Sequence, residues 1–248
     1  MWKDVRARAA RPFGSLFRMR GSALLFDLDG TLADSLPLCL HAHRTSLLRH
    51  AGRLFGDREI AAEFGKTEEG MFRRLVPAAW EACLATYEEE YERAHHLCPA
   101  PFPGVVDLLT RLRQSGLRLG LVTGKGQKSA RITLGKLGLS PLFDEVRTGS
   151  PQGDVKAEHI VELTRTFGVS LDRTAYVGDF VADVRAARAA GVLALAAAWA
   201  PGVDAQALAA ARPDALFRSL GELDSWIESW LGSSGAVGGG EAFAGRRG

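Results

Sequence analysis

The chain has 248 residues, 46% hydrophobic and 24% charged, with a formal net charge of +2. That length supports one sizeable core, or a core domain with a smaller second one. The near-neutral balance excludes the strongly basic footprint of a dedicated nucleic-acid binder, and the longest apolar stretch, Val192 to Ala200, is too short to cross a bilayer.

Residues 1–20 carry Arg6, Arg8, Arg11, Arg18 and Arg20 and lack the apolar centre of a secretory signal. They read as a disordered basic arm, or as an overextended start with Met19 as the true beginning. Ala23-Leu24-Leu25-Phe26 then reads as a buried strand running straight into Asp27-Leu28-Asp29-Gly30-Thr31. Two carboxylates close that strand, and Gly30 lets the chain turn sharply. Carboxylates crowded beside a core need a divalent cation or a held proton to offset their repulsion.

Ser35 is placed to cap a helix running to about His50, with Pro37 in its first turn. Residues 57–97 read as helical throughout: Glu59 to Phe64, Glu68 to Leu75 and Pro77 to Ala94, punctuated by Gly56, Gly65 and Pro77. Pro99 to Gly104 is a stiff connector. Strands and helices then alternate. The strands are Leu117–Val122, Glu145–Thr148, Thr174–Val177, Val192–Ala197 and Ala215–Phe217. The helices are Val105–Gln114, Gly126–Leu137, Ala157–Phe167, Val181–Ala190, Ala205–Ala210 and Leu220–Leu231. This pattern predicts an α/β fold, a doubly wound, mostly parallel Rossmann-like sheet with an inserted all-helical cap. The predicted domains are a core over 21–34 and 101–231, a cap over 35–100 and a disordered, glycine-rich tail over 232–248.

A fold of this kind places its site at the carboxyl ends of the strands. Two more strands end in polar turns there, Thr123-Gly124-Lys125 and Gly178-Asp179-Phe180-Val181-Ala182-Asp183, and Lys156 opens a helix between them. With Asp27 and Asp29 the assembly is four carboxylates, a hydroxyl, an amine and glycine-rich backbone. Three cysteines, Cys39, Cys83 and Cys98, form neither a disulfide framework nor a zinc pattern, and read as buried or half-buried thiols of a reducing cytoplasm.

The four stretches, DxDGT at Asp27–Thr31, Thr123, Lys156 and GDxxxD at Gly178–Asp183, together resemble the motifs of the haloacid dehalogenase-like superfamily. The chain is most similar to its phosphoglycolate phosphatase-like hydrolases with a helical cap, over about residues 22–231. Two positions depart from the family pattern. Ala157 stands after Lys156 where proline is usual, and Gly124 stands where asparagine is frequent, leaving phosphate contact there to the backbone.

The resemblance implies Mg²⁺-dependent hydrolysis of a small phosphorylated metabolite through an aspartyl-phosphate. Asp27 would be the nucleophile and Asp29 the acid and base, with a carboxyl pKa raised by crowding. Mg²⁺ would take Asp27, Asp179, the backbone carbonyl of Asp29 and, as ligand or orienting group, Asp183. Thr123, the Gly124 N–H and Lys156 would hold the phosphoryl group. Lys66, in the loop before Arg73 and Arg74, would contact the leaving side, set against the plainer reading of a solvated basic face. His95 and His96 read as surface or hinge residues. Trp226 and Trp230 share the helix face that docks the last helix on the sheet, and Trp199 reads as core packing or as part of the site's rim. The cap would gate the site by hinging near 33–36 and 98–104.

A sugar-phosphate phosphomutase remains the alternative, and a non-catalytic binding module a more distant one. A dehalogenase is disfavoured because Asp29 is present. The expected protein is cytoplasmic, a monomer or homodimer, and binds neither nucleic acid nor membrane.

Overall fold

The structure is a computed structural model and describes residues 21–233. The basic arm expected over 1–20 lies outside these residues, as does the expected tail beyond residue 233.

Strand β1 (Ala23–Phe26) starts the fold, followed by four helices: α1 (Leu36–Ala51), α2 (Asp57–Ala61), α3 (Glu68–Leu75) and α4 (Trp80–Arg93). Helix α5 (Val105–Gln114) leads to β2 (Arg118–Val122), α6 (Gln127–Lys136), β3 (Glu145–Arg147) and α7 (Lys156–Thr166). Then come β4 (Thr174–Gly178), α8 (Val181–Ala190), β5 (Leu193–Ala197), α9 (Ala205–Ala210), β6 (Ala215–Phe217) and α10 (Leu220–Ser233). The strands form one sheet in the order β3-β2-β1-β4-β5-β6, and every paired neighbour is parallel. This is the doubly wound α/β topology, in which the chain order reverses between β1 and β4.

Both sheet faces are covered, so β1 reads as an uninterrupted apolar run rather than an alternating one. Leu24 and Phe26 pack with Leu119, Leu121 and Val177 on one face. Leu25 packs on the other with Val122, Tyr176 and the α7 and α8 side chains Ile160, Leu163 and Val184. Each such Leu or Phe contributes about 1.5–3 kcal/mol by leaving water. Trp226 and Trp230 stack 5.5 Å apart, and Trp226 meets Phe217 edge-on at 5.9 Å, which docks α10 on β6.

Helices α1 and α3 pack on α4 around an aromatic knot. The ring centroid of Tyr87 lies 4.5 Å from that of His43, 5.8 Å from Phe72 and 5.5 Å from Tyr91. All three cysteines are free and buried.

Several local expectations are corrected. Ser35 does not cap α1 with its side chain; its hydroxyl donates to the Asp29 carboxylate instead, a charged and therefore stronger acceptor. The helix expected over Glu59–Phe64 is Asp57–Ala61, because Glu63 and Phe64 bond three residues back in turns. Residues 77–79 form a turn closed by Ala79 N–H on the Val76 carbonyl, so α4 begins at Trp80 rather than Pro77. His95 is buried, its ring edge-on to Tyr91, rather than at the surface. The last helix runs two residues beyond Leu231.

Candidate active site

Strand register brings the first carboxylates together. Phe26 lies opposite Val177, and the Asp27 N–H donates to the Val177 carbonyl at 2.8 Å. The two chains therefore leave the sheet side by side, one into Asp27 and the other into Gly178 and Asp179. Asp27, Asp179 and Asp183 each offer a carboxylate oxygen within 4.8 Å of the others. Two glycines permit this crowding. A Cβ on Gly30, whose φ is +74°, would lie 2.1 Å from Asp179 Oδ2, and one on Gly178 would lie 2.5 Å from Asp183 Cβ.

The cluster holds more negative charge than its cation offsets. Lys156, the first residue of α7, donates from Nζ to Asp183 Oδ1 at 2.5 Å and lies 3.1 Å from Asp27 Oδ1. Asp183 is fully buried and matched by protein donors: Tyr176 Oη on Oδ1 at 3.3 Å and the Phe180 N–H on Oδ2 at 2.9 Å, besides Lys156. Asp179 accepts from Thr31 Oγ1 at 3.1 Å. Asp27 Oδ1 lacks a well-aligned hydrogen bond despite its burial and the nearby ammonium.

Burial pushes the Asp27 carboxyl up to about 7. Lys156 pulls it back, while Asp183 and Asp29 push it further. Burial, with Asp183 and Asp27 adding to it, raises Asp179 well above the carboxylate range. For Lys156 burial opposes the charge, but Asp183 and Asp27 outweigh it and hold its pKa well above normal. Three hard-oxygen donors, excess negative charge and a buried oxygen without an aligned donor fit a Mg²⁺-type cation.

A cavity of about 540 Å³ opens from this cluster toward α1, α3 and α4. On its near side are Thr123 and Gly124, after β2. Thr123 is buried, and its Oγ1 accepts from the Lys125 N–H at 3.3 Å. Across from the cluster, Asp29 faces a second buried ammonium, with Lys125 Nζ 3.4 Å from its Oδ1. Lys125 also donates to Cys39 Sγ at 3.3 Å and sits 4.4 Å above the Tyr91 ring. Glu68 joins α3 to the start of α6. It accepts from the Gly126 N–H at 2.7 Å, from Ser129 Oγ at 2.5 Å and from Tyr87 Oη at 3.3 Å.

A family model described as haloacid dehalogenase-like hydrolase matches residues 24–197. The chain belongs to this family. A phosphoglycolate phosphatase of Synechococcus elongatus is 32% identical over 203 residues, 81% of this chain and 94% of that protein. The pyrophosphatase PpaX of Halalkalibacterium halodurans is 27% identical over 70% of this chain and 82% of its own. Among solved structures, a haloacid dehalogenase-like family hydrolase of Streptococcus pneumoniae superposes with a TM-score of 0.68 at 25% identity, covering 83% of this chain and 98% of that one.

In this haloacid dehalogenase-like hydrolase, Asp27, Asp179, Asp183 and Lys156 form one cluster. Lys156 reaches it even though Ala157 replaces the usual proline. Thr123 and Gly124 line the same cavity, and Lys66 lines it half-buried. The Asp29 side chain stands apart from the cluster, held by Ser35 and Lys125. The carboxyls driven upward are Asp27 and Asp179, by burial first and by the neighbouring carboxylates second. Arg73 and Arg74 are exposed and paired with Glu69 and Glu63, the plainer of their two readings. Trp199 donates from Nε1 to the Thr31 carbonyl at 3.0 Å, tying the turn after β5 to the DxDGT loop. Sequence reasoning missed Lys125 and His43 as cavity residues, and gave no role to Glu68, which follows Lys66 by two residues. Lys125 stands in the quoted Thr-Gly-Lys turn, and Cys39 and His43 sit four apart on α1, the one local signal available.

Proposed function

We propose that this protein is a Mg²⁺-dependent phosphatase of small phosphate monoesters that works through a phosphoryl group held covalently on Asp27. The observation that carries the reading is the convergence of three carboxylates and Lys156 where β1 and β4 end. The curated relative of Synechococcus elongatus, a phosphoglycolate phosphatase by name, supports it.

In the first step an Asp27 oxygen attacks phosphorus and the P–O bond to the leaving group breaks. The leaving alkoxide takes a proton from Asp29, whose carboxyl is 29% exposed and outside the cluster. In the second step a water gives its proton to Asp29, attacks phosphorus and releases phosphate and Asp27. Thr123 Oγ1 and the Gly124 N–H hold phosphoryl oxygens, and Lys156 offsets the charge spreading over them. Lys66 contacts the leaving side. Mg²⁺ held by Asp27 and Asp179, with Asp183 and the Asp29 carbonyl beside them, would polarise the phosphoryl oxygens as a Lewis acid. Helices α1 to α4 act as a cap, hinged near 33–36 and 98–104, that shields the acyl phosphate from stray water.

A phosphate-release screen over a metabolite panel tests this. Activity on several small esters is expected with Mg²⁺ and is lost with a chelator or in Asp27→Asn. An isomerised hexose phosphate without free phosphate would replace the reading with a mutase. Activity that survives in Asp27→Asn would remove the covalent step.

A further inference from the structure

The cavity's inner end, away from the carboxylate cluster, lies against one face of α1. Leu36, Cys39 and His43 recur at three- and four-residue spacing, share that face and line the cavity. His43 is 2% exposed, and its ring is fixed between Tyr87 and Phe72, at centroid distances of 4.5 and 5.4 Å. Its Nδ1 lies 2.8 Å from the Cys39 carbonyl one turn back. A carbonyl only accepts, so Nδ1 carries the ring proton, and Nε2 presents a lone pair while the ring is neutral. Burial keeps it neutral, pushing the pKa down to about 4. Nε2 has no hydrogen-bond partner among the described residues, and a buried acceptor without a donor is destabilising.

The neighbouring polar groups leave a specific vacancy. Glu68 is already matched by Gly126, Ser129 and Tyr87. Lys125 has three N–H bonds to give and meets a thiol, a carboxylate and the Tyr91 ring, so it brings its charge rather than a spare donor. This end of the cavity therefore offers one unmatched acceptor and one ammonium. A hydroxyl group, which both donates and accepts, complements either. A carboxylate complements Lys125 but meets a lone pair at His43.

Resting on the phosphatase reading above, we propose that His43 is a specificity residue. Its Nε2 accepts a hydrogen bond from a hydroxyl of the leaving group, so the preferred substrates are phosphate esters of polyols or sugars rather than of simple hydroxy acids. The imidazole acts as a fixed acceptor held in its tautomer by Cys39.

The test compares glycerol phosphate, ethyl phosphate and phosphoglycolate. Wild type should favour glycerol phosphate over both in kcat/KM. In His43→Phe, which keeps an aromatic ring but no acceptor, the glycerol-to-ethyl ratio should fall about tenfold, the size of one lost hydrogen bond. His43→Gln, whose amide oxygen accepts, should retain most of the ratio. A second arm does not depend on turnover. In Asp27→Asn with Mg²⁺, the ¹⁵N resonance of His43 Nε2 should move upfield with glycerol phosphate and stay fixed with ethyl phosphate. A preference for phosphoglycolate in wild type, a ratio unchanged in His43→Phe, or an Nε2 resonance indifferent to glycerol phosphate would each overturn the proposal. If the resonance moves but no ester is hydrolysed, the binding role stands and the phosphatase reading falls. If His43→Phe fails to fold, the resonance decides.

Discussion

Two buried lysines mark two differently built walls of one cavity. Lys156 faces three clustered carboxylates, too many for one ammonium, and two of them are driven upward in pKa. Lys125 faces one carboxylate, Asp29, together with a thiol and an aromatic ring. Beside it Glu68 is fully matched by protein donors. The first wall is short of positive charge and gains from a bound cation. The second is close to self-sufficient, apart from His43 Nε2. A protein keeps such unbalanced charge where chemistry uses it and balances charge where packing alone is at stake.

The contrast breaks most sharply at Asp27. Asp27→Asn should lower kcat by roughly 10⁶-fold, the scale of a nucleophile's removal, in a phosphate-release assay. A loss of only a few-fold would deny the first wall its chemistry.

Gly30→Ala comes next. It forces a positive φ on alanine and drives a methyl into Asp179, displacing a carboxylate by a fraction of an ångström or more. Misplacement on that scale costs about 10²-fold in kcat/KM. Mg²⁺ at 100 times its Kd should stabilise the wild-type fold by about 2.7 kcal/mol, and in the Gly30→Ala protein this thermal shift should be largely lost. A variant that binds Mg²⁺ with wild-type strength would show that the glycine serves the turn alone.

The second wall responds differently. Glu68→Ala removes an acceptor shared by three donors and should cost about 2 kcal/mol of stability, read as a lower Tm, while the Mg²⁺-induced shift in Tm persists. Loss of the metal response in this variant would mean that the two walls act as one.

The contrast can also be read in pH. The Asp27 pKa is about 7 folded, against 3.8 for the free side chain. The folded state therefore keeps a proton that the unfolded chain releases. The contribution of Asp27 to metal-free stability is present below pH 4, is lost as pH rises to about 7 and is level beyond. The Tm difference, wild type minus Asp27→Asn, should decline across that window in the presence of chelator. A flat difference would place the burial cost elsewhere.

The first wall was legible because its residues sit at strand ends announced by local signals. An apolar run stops at Asp27, another stops at Gly178-Asp179, and Lys156 opens a helix. The second wall was not. Glu68 and His43 are single polar residues on helices, with little in their neighbours to assign them a role, and their partners come from α1, α3, α4 and α6 together. Ser35 misled for a related reason: a serine before a helix is a capping signal, but it says nothing about a carboxylate folded back within reach of the hydroxyl. His95 misled because a polar ring beside a proline-rich connector reads as exposed, whereas packing against Tyr91 buries it.

By itself the chain's order of residues determined the alternation of strands and helices and which side chains stand where strands end, since both follow from apolar periodicity and glycine placement over a few neighbouring positions. Only the tertiary structure decided which cation each carboxylate faces. Strand order sets β1 beside β4, and helix packing sets α1 above Lys125, so Asp27 meets Lys156 while Asp29, two residues on, meets Lys125. Contacts between segments so distant in the chain depend on how whole elements pack, which no local pattern encodes.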